Sequence, residues 1–285
     1  MSLHCTWSDM LAEASARLAK AGVEDARRDA RLLLADTLGV ETGELILREM
    51  DMIDGAHLAG FEDRIRRRLA GEPVSRIRGW REFYGRRFIV TGDVLDPRPE
   101  TELLVEQGLR RLPPGGRVLD LGTGSGCILV SLLAERADAS GEGVDASDAA
   151  LQVAARNAAA LGVAERARLV KGDWTSGDMG AWDLVLSNPP YVSEAEFPDL
   201  AREVREHDPR IALVGGVDGL EPYRTISAAA RRALKPGGWL GVEFGAGQAE
   251  AVTGLMTGAG FAGIEVYRDL AGIERAAFGQ APGPA

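Results

Sequence analysis

The segment Arg117-Val-Leu-Asp-Leu-Gly-Thr-Gly-Ser-Gly126 restricts the fold more than any other part of the chain. An apolar run of strand length ends in three alternating glycines, and an apolar helix pattern follows from Cys127 to about Glu135. A strand that passes through a glycine turn directly into a helix is the opening of a parallel α/β sheet. The spacing, Gly122-x-Gly124-x-Gly126, differs from the Gly-x-Gly-x-x-Gly of a dinucleotide loop, because position 127 is cysteine. Glycines here permit positive φ and a close approach of backbone to ligand, so Gly122, Thr123, Gly124, Ser125 and Gly126 are expected to cradle a compact polar group.

Three more strands are predicted to end in polar residues. Gly141-Glu-Gly-Val-Asp145 ends in an acid a little over twenty residues beyond the first glycine. A carboxylate at that place accepts hydrogen bonds from the ribose hydroxyls of an adenosine ligand. Ser147, rather than Asp145, is the expected N-cap of the helix from about Asp148 to Leu161. Arg168 to Trp174 reads as a strand that places Asp173 and Trp174 at the adenine edge. Trp182-Asp-Leu-Val-Leu-Ser187 then delivers Asn188-Pro-Pro-Tyr191. Two successive prolines carry no N–H, which leaves the carbonyls of Asn188 and Pro189 without neighbouring donors and holds the loop extended. The loop is therefore a rigid set of acceptors, against the plainer reading that it only punctuates the chain.

Around this sheet the chain divides. Residues 1–75 show amphipathic stripes, Leu11/Ala14/Leu18/Ala21, Ala30/Leu33/Leu34 and Leu58/Phe61/Ile65/Leu69, and almost no strand signal. A small helical bundle, serving substrate recognition, is expected there. Residues 76–98 read as a linker holding a hairpin with Gly85 near its turn. Residues 99–280 form the catalytic domain, with a helix from Leu103 to about Leu112 and an acidic, lid-like stretch from Ser193 to about Glu206. The helix Leu220–Leu234, the turn Lys235–Gly238, the strand Trp239–Phe244 and the helix Gln248–Thr257 follow. Ile264–Tyr267 and Glu274–Phe278 close as an antiparallel pair, and 281–285 is a disordered tail.

Net charge is −10, which disfavours broad nucleic-acid binding. One basic island stands apart: nine arginines lie between Arg64 and Arg87, against Glu72 and Glu82. Its plain reading is a solvated helix face and charged linker; its functional alternative is contact with RNA or an acidic partner. The amino terminus has no basic region followed by an apolar core, and no run reaches membrane-spanning length, so the expected location is cytoplasmic. Cys5, Cys127, His4, His57 and His207 are too scattered for a zinc motif, so no metal is expected, and Cys127 reads as a small core residue.

Taken together, Gly71-Glu-Pro-Val74, Glu82-Phe-Tyr-Gly85, Pro97-Arg-Pro-Glu-Thr-Glu102, Asp120-Leu-Gly-Thr-Gly-Ser-Gly126, Asn188-Pro-Pro-Tyr191 and Asp269-Leu-Ala-Gly272 resemble, in order, the blocks of the release factor glutamine methyltransferases. These are class I enzymes that use S-adenosylmethionine and release S-adenosylhomocysteine. The resemblance covers nearly the whole chain. It implies a Rossmann-like seven-stranded α/β sheet with one antiparallel strand behind an N-terminal helical domain. It assigns the methyl donor to Gly122 through Gly126, Asp145, Trp174 and Asn188, and the glutamine to Asn188, Pro189, Pro190 and Tyr191. The implied substrate is the Gly-Gly-Gln loop of peptide chain release factors; a monomer is expected, and charge and hydropathy set the further expectation of no stable nucleic-acid or membrane contact. Arg76, Arg78 and Asp96 are more polar than the family pattern.

On that reading Asn188 and Pro189 accept the two N–H bonds of the substrate amide, and Tyr191 packs on its flat face. Three rivals remain: an adenine-N6 nucleic-acid methyltransferase, which meets the same acceptor problem with a similar loop; a glutamine methyltransferase acting on a ribosomal protein; and a non-catalytic adenosylmethionine-binding adaptor.

Overall fold

The structure is a computed structural model that describes residues 6–176 and 182–283. Two compact units divide it, Met1–Gly79 and Trp80–Ala285.

The first unit is helical: α1 (Trp7–Lys20), α2 (Ala26–Leu38), α3 (Glu44–Leu47), α4 (Gly55–Leu69) and α5 (Val74–Arg78). Thr6 starts α1 through a capping box with Asp9, and Asp54 caps α4 by accepting from the amides of Ala56 and His57. The core takes Trp7, Met10, Ala14 and Leu18 from α1, Leu33 and Leu34 from α2, and Phe61 and Ile65 from α4. Two predicted stripes shift. Ala21 is exposed as the C-cap of α1, and Leu69 is 37% exposed. The inward position near the end of α4 belongs to Arg68, whose Nε donates to the buried Asp29 at 2.7 Å. His4 and Cys5 lie outside the described residues.

The second unit opens with the hairpin β1 (Trp80–Phe83) and β2 (Arg86–Ile89). Its two-residue turn puts both Tyr84 (φ 50°) and Gly85 (φ 68°) in the left-handed region, the geometry that matches strand twist. Phe83 and Phe88 meet edge to face and are buried in the same cluster as Leu104, Leu133 and Leu184. The 76–98 stretch is therefore divided at Gly79, and its hairpin is part of the larger unit's core rather than a free linker.

A 3-10 turn, Pro99–Thr101, leads into α6 (Glu102–Arg111). The sheet strands and their helices follow as β3 (Arg117–Leu121), α7 (Cys127–Glu135), β4 (Ser140–Asp145), α8 (Asp148–Ala160), β5 (Ala167–Lys171) and β6 (Trp182–Ser187). Then come α9 (Arg202–His207), α10 (Glu221–Ala233), β7 (Leu234–Glu243), α11 (Ala249–Gly258), β8 (Ala262–Arg268) and β9 (Glu274–Gln280). The seven strands lie in the order β5-β4-β3-β6-β7-β9-β8, parallel except for β9, which pairs antiparallel with both neighbours. Strand order reverses between β3 and β6, and a crevice opens there at the carboxyl ends.

Two details differ from the sequence reading. Lys235–Gly238 is a bulge inside β7, where the register with β6 jumps from Trp182↔Leu234 to Leu184↔Trp239. Gly237, at φ 80°, donates its N–H to the carbonyl of Ala281, whose own N–H returns to Gly238. Ala281 is thus buried against the sheet instead of starting a disordered tail; residues 284 and 285 lie outside the described residues. Among the described residues no helix is long and apolar enough to cross a membrane.

Candidate active site

A cavity of about 410 Å³, within the ~300–1,000 Å³ range of small-molecule sites, lies at the reversal of strand order. Its floor is the glycine turn after β3. Gly122 and Gly124 hold φ of 71° and 55°, and a Cβ on Gly122 would stand 2.8 Å from the ring of Trp174. Only glycine allows the ring to lie on the backbone there. The amides of Gly122 and Thr123 both donate to the carbonyl of Val144, which locks the turn to β4. Gly122, Thr123, Gly124 and Ser125 line the cavity. Gly126, at φ 79°, lies outside the lining, and a Cβ there would stand 3.2 Å from Ala154 on α8. Its role is helix packing.

Asp145, at the end of β4, lines the cavity, and Ser147 caps α8 as expected. The carboxylate is not idle. Its two oxygens accept the amides of Gly124 and Ser147, each at 2.9 Å, so it clamps the glycine turn and retains further lone pairs for a ligand hydroxyl. Asp173 and Trp174 both line the cavity, from a turn just beyond β5 rather than from the strand itself. The Thr175 hydroxyl and amide hold the Asp173 carboxyl below its usual range. Trp174 supplies the aromatic wall over Gly122.

Beneath the turn, Asp120 is fully buried and accepts from the Thr123 hydroxyl at 2.7 Å. Burial pushes its carboxyl up to about 7, against the pull of that hydroxyl. Cys127 is buried in the core cluster at the cavity's edge, and burial pushes its thiol up to about 12, in the unreactive direction.

Asn188 follows β6 on the other side of the crevice. Its Nδ2 donates to the Thr101 hydroxyl at 3.1 Å, while its Oδ1 is buried and receives no hydrogen bond among the described residues. No described residue donates to the carbonyls of Asn188 or Pro189 either. Asn188 and Pro190 line the cavity; Pro189 and Tyr191 do not. The Tyr191 ring packs instead beside Gly245, its carbonyl accepts from Gln248 Nε2 at 3.0 Å, and burial raises its hydroxyl to about 12. The loop is further held by Val192, whose amide donates to Leu213 and whose carbonyl accepts from Gly215. The lid-like stretch 193–206 contributes no lining residue; Pro209, Ile211 and Ala212 form that wall.

Three residues absent from the sequence reading of the site support it. Thr101 holds Asn188 across 87 positions. Glu243, 2% exposed at the end of β7, has its carboxyl raised to about 7 by burial, against the pull of the Thr101 hydroxyl. Asn157 on α8 joins the hairpin to the glycine turn, accepting from the amide of Ile89 and donating to the carbonyls of Ile89 and Ser125. The signal for Thr101 was its place in the Pro-Glu-Thr-Glu block; Asn157 and Glu243 carried none.

The fold is shared with solved structures of low identity. One is a methyltransferase from Pyrococcus furiosus, 16% identical with a TM-score of 0.54, covering 78% of this chain and 99% of that one. Another, described as a possible exported protein from Bordetella parapertussis, is 17% identical with a TM-score of 0.51 and covers 97% and 96%. Two protein families match: the PrmC N-terminal domain over residues 9–79 and the methyltransferase small domain over residues 92–211. Among similar curated proteins, the release factor glutamine methyltransferase of Cereibacter sphaeroides is 50% identical over 94% of this chain and 96% of its own length. That of Rhodospirillum rubrum is 48% identical over 91% and 80%. With both family domains in place and such identity along nearly the whole length, the chain belongs to the release factor glutamine methyltransferases.

Proposed function

We propose that this protein methylates the side-chain amide nitrogen of the glutamine in the Gly-Gly-Gln loop of peptide chain release factors, with S-adenosylmethionine as donor. The observation that carries the reading is the state of Asn188: Nδ2 is engaged by Thr101, and the buried Oδ1 has no donor. A buried acceptor of this kind is costly unless something donates to it, and the N–H of a substrate amide does so.

The residues present fit the donor. The glycine turn leaves room where a Cβ on Gly122 would meet Trp174, and Asp145 keeps lone pairs for ribose hydroxyls. Trp174 and Asp173 stand at the base edge. When bound, S-adenosylmethionine supplies a methyl group on a positively charged sulfur, open to in-line attack.

The chain's own residues must compensate for a poor nucleophile, since the amide lone pair is delocalised into its carbonyl. Asn188 Oδ1 and the Pro189 carbonyl accept the two N–H bonds, which turns the nitrogen lone pair toward the donor and stabilises the positive charge that develops there. The nitrogen releases its proton to water late in the transfer or after the methyl has moved, leaving a neutral amide, so no strong base is needed. Tyr191 serves as the anchor that keeps the loop rigid: its half-buried ring packs on the core and its carbonyl accepts from Gln248. Removing the Asn188 acceptor is expected to cost on the order of a hundredfold in rate.

Against adenine methylation stands the basic island. Its arginines are engaged within their own units: Arg64 and Arg78 pair with Asp36, Arg66 with Asp63, Arg67 with Glu72, Arg68 with Asp29, Arg81 with Asp96 and Arg86 with Glu135. Arginines engaged in this way offer little to phosphates. The protein is accordingly read as acting on protein. The test is one incubation of labelled methyl donor with a release factor, its Gln→Ala loop variant and DNA. Label is expected on the first alone; label on DNA alone, or full turnover by Asn188→Ala, would overturn the reading.

A further inference from the structure

Two residues that line the cavity carry a buried side-chain oxygen with no hydrogen bond among the described residues. One is Asn188, whose Oδ1 the proposed transfer uses; the other is Asp96, again at Oδ1. Asp96 is 6% exposed and is one of the positions more polar than the family pattern. Its ion pair is with Arg81 on β1, whose Nη1 lies 3.7 Å from Oδ2, too far for a hydrogen bond. A buried carboxylate is costly unless a cation also hydrogen-bonds it, so Asp96 suits a positively charged hydrogen-bond donor brought by a ligand.

Two residues on, Arg98 is the only cationic side chain in the cavity lining among the described residues. Its Nη2 donates at 2.7 Å to Asp208, whose side chain is 4% exposed. The guanidinium is thereby held from one side and keeps further N–H groups for a ligand. Asp96 and Arg98 each precede a proline, Pro97 and Pro99, which holds both in extended backbone and limits how the two charges can move apart. An anion and a cation set so close along one wall match the ammonium and carboxylate of an α-amino-acid group. We propose that Asp96 and Arg98 hold the amino-acid end of the methyl donor: Asp96 accepts from its α-ammonium, and Arg98 donates to its α-carboxylate. The inference rests on S-adenosylmethionine binding in this cavity, with its ribose on Asp145, as read above.

The test is calorimetric titration with three ligands that differ only at that end: S-adenosylhomocysteine, its decarboxylated form, and 5′-methylthioadenosine, which has neither group. The parent should bind S-adenosylhomocysteine at least about tenfold more tightly than 5′-methylthioadenosine. Asp96→Asn keeps the shape and removes the charge. It should raise the Kd for S-adenosylhomocysteine and its decarboxylated form roughly 10- to 100-fold and leave that for 5′-methylthioadenosine within about twofold. Arg98→Met should weaken S-adenosylhomocysteine by a similar factor and leave the two ligands without a carboxylate within about twofold. If Arg98→Met melts early through loss of the Asp208 pair, Arg98→Gln carries the same comparison. Equal parental affinity for S-adenosylhomocysteine and 5′-methylthioadenosine would overturn the inference. So would unchanged S-adenosylhomocysteine affinity in Asp96→Asn, or a loss that 5′-methylthioadenosine shares in equal measure. Arg98→Met losses of the same size with and without the ligand carboxylate would remove Arg98 from it. If the parent binds none of the three ligands, the donor reading itself is what fails.

Discussion

Replacing Asp145 by asparagine changes one oxygen to an NH2 and tests how the donor cavity is built. In the parent, Oδ2 accepts the Gly124 amide and Oδ1 the Ser147 amide, both at 2.9 Å. An asparagine has one acceptor oxygen, so in either orientation its NH2 points at a backbone N–H. One charge-assisted hydrogen bond is lost, about 1.5–3 kcal/mol, and it is lost at the turn that forms the cavity floor. That loss falls on free and bound protein alike; the Kd for S-adenosylmethionine should rise through a second loss, the charge Asp145 offers the ribose hydroxyls, also ~1.5–3 kcal/mol and so, at about 1.4 kcal/mol per factor of ten, roughly 10- to 100-fold. Because the clamp also holds the free protein together, Tm should fall by roughly 3–10 °C. Isothermal titration with S-adenosylmethionine and S-adenosylhomocysteine, together with a thermal melt, reads both quantities. A Kd within about threefold of the parent would refute the argument. A weakened Kd with an unshifted melt would show that the carboxylate serves the ligand alone.

Gly122→Ala places a methyl 2.8 Å from the Trp174 ring at a φ of 71°, so donor affinity should fall about tenfold, from ~1–2 kcal/mol of backbone strain, and Trp174 fluorescence should change; an unaltered spectrum and Kd would count against the packing described. Asp120 has its carboxyl raised from 3.8 to about 7 by burial, so the folded protein holds that proton more tightly than the unfolded chain does. Its stabilising contribution is complete below about 4 and is lost as pH rises through 7. The fall in Tm from pH 5 to pH 8 should therefore be shallower in Asp120→Asn, and parallel pH profiles would contradict this. In the helical unit, Arg68→Met strands the buried Asp29 and should cost about 3–5 kcal/mol, whereas Arg68→Met with Asp29→Leu should cost much less; urea unfolding followed by helical circular dichroism distinguishes them.

Elements whose cause is local were legible in the chain. The strand Arg117–Leu121 ends where glycines begin, Ser147 caps α8, and Tyr84-Gly85 makes a two-residue hairpin turn. Strand ends in turn placed Gly122, Asp145 and Asn188 on one edge of a sheet, since a parallel sheet brings its carboxyl ends together. What escaped depends on partners far away in sequence. Lys235-Pro-Gly-Gly238 has the composition of a turn, and only the neighbouring strand and Ala281 make it a bulge. Tyr191 sits beside the loop that lines the cavity, yet its ring finds Gly245 and the core. Leu69 looked like the last apolar rung of α4 because nothing in the local pattern reveals that Arg68 meets Asp29 39 positions away.

Among the described residues, the cavity draws its lining from Trp80 onward and none from the helical unit. Substitutions before Gly79 therefore replace no wall of that cavity, so the helical unit can vary in sequence while the lining of the donor site stays the same.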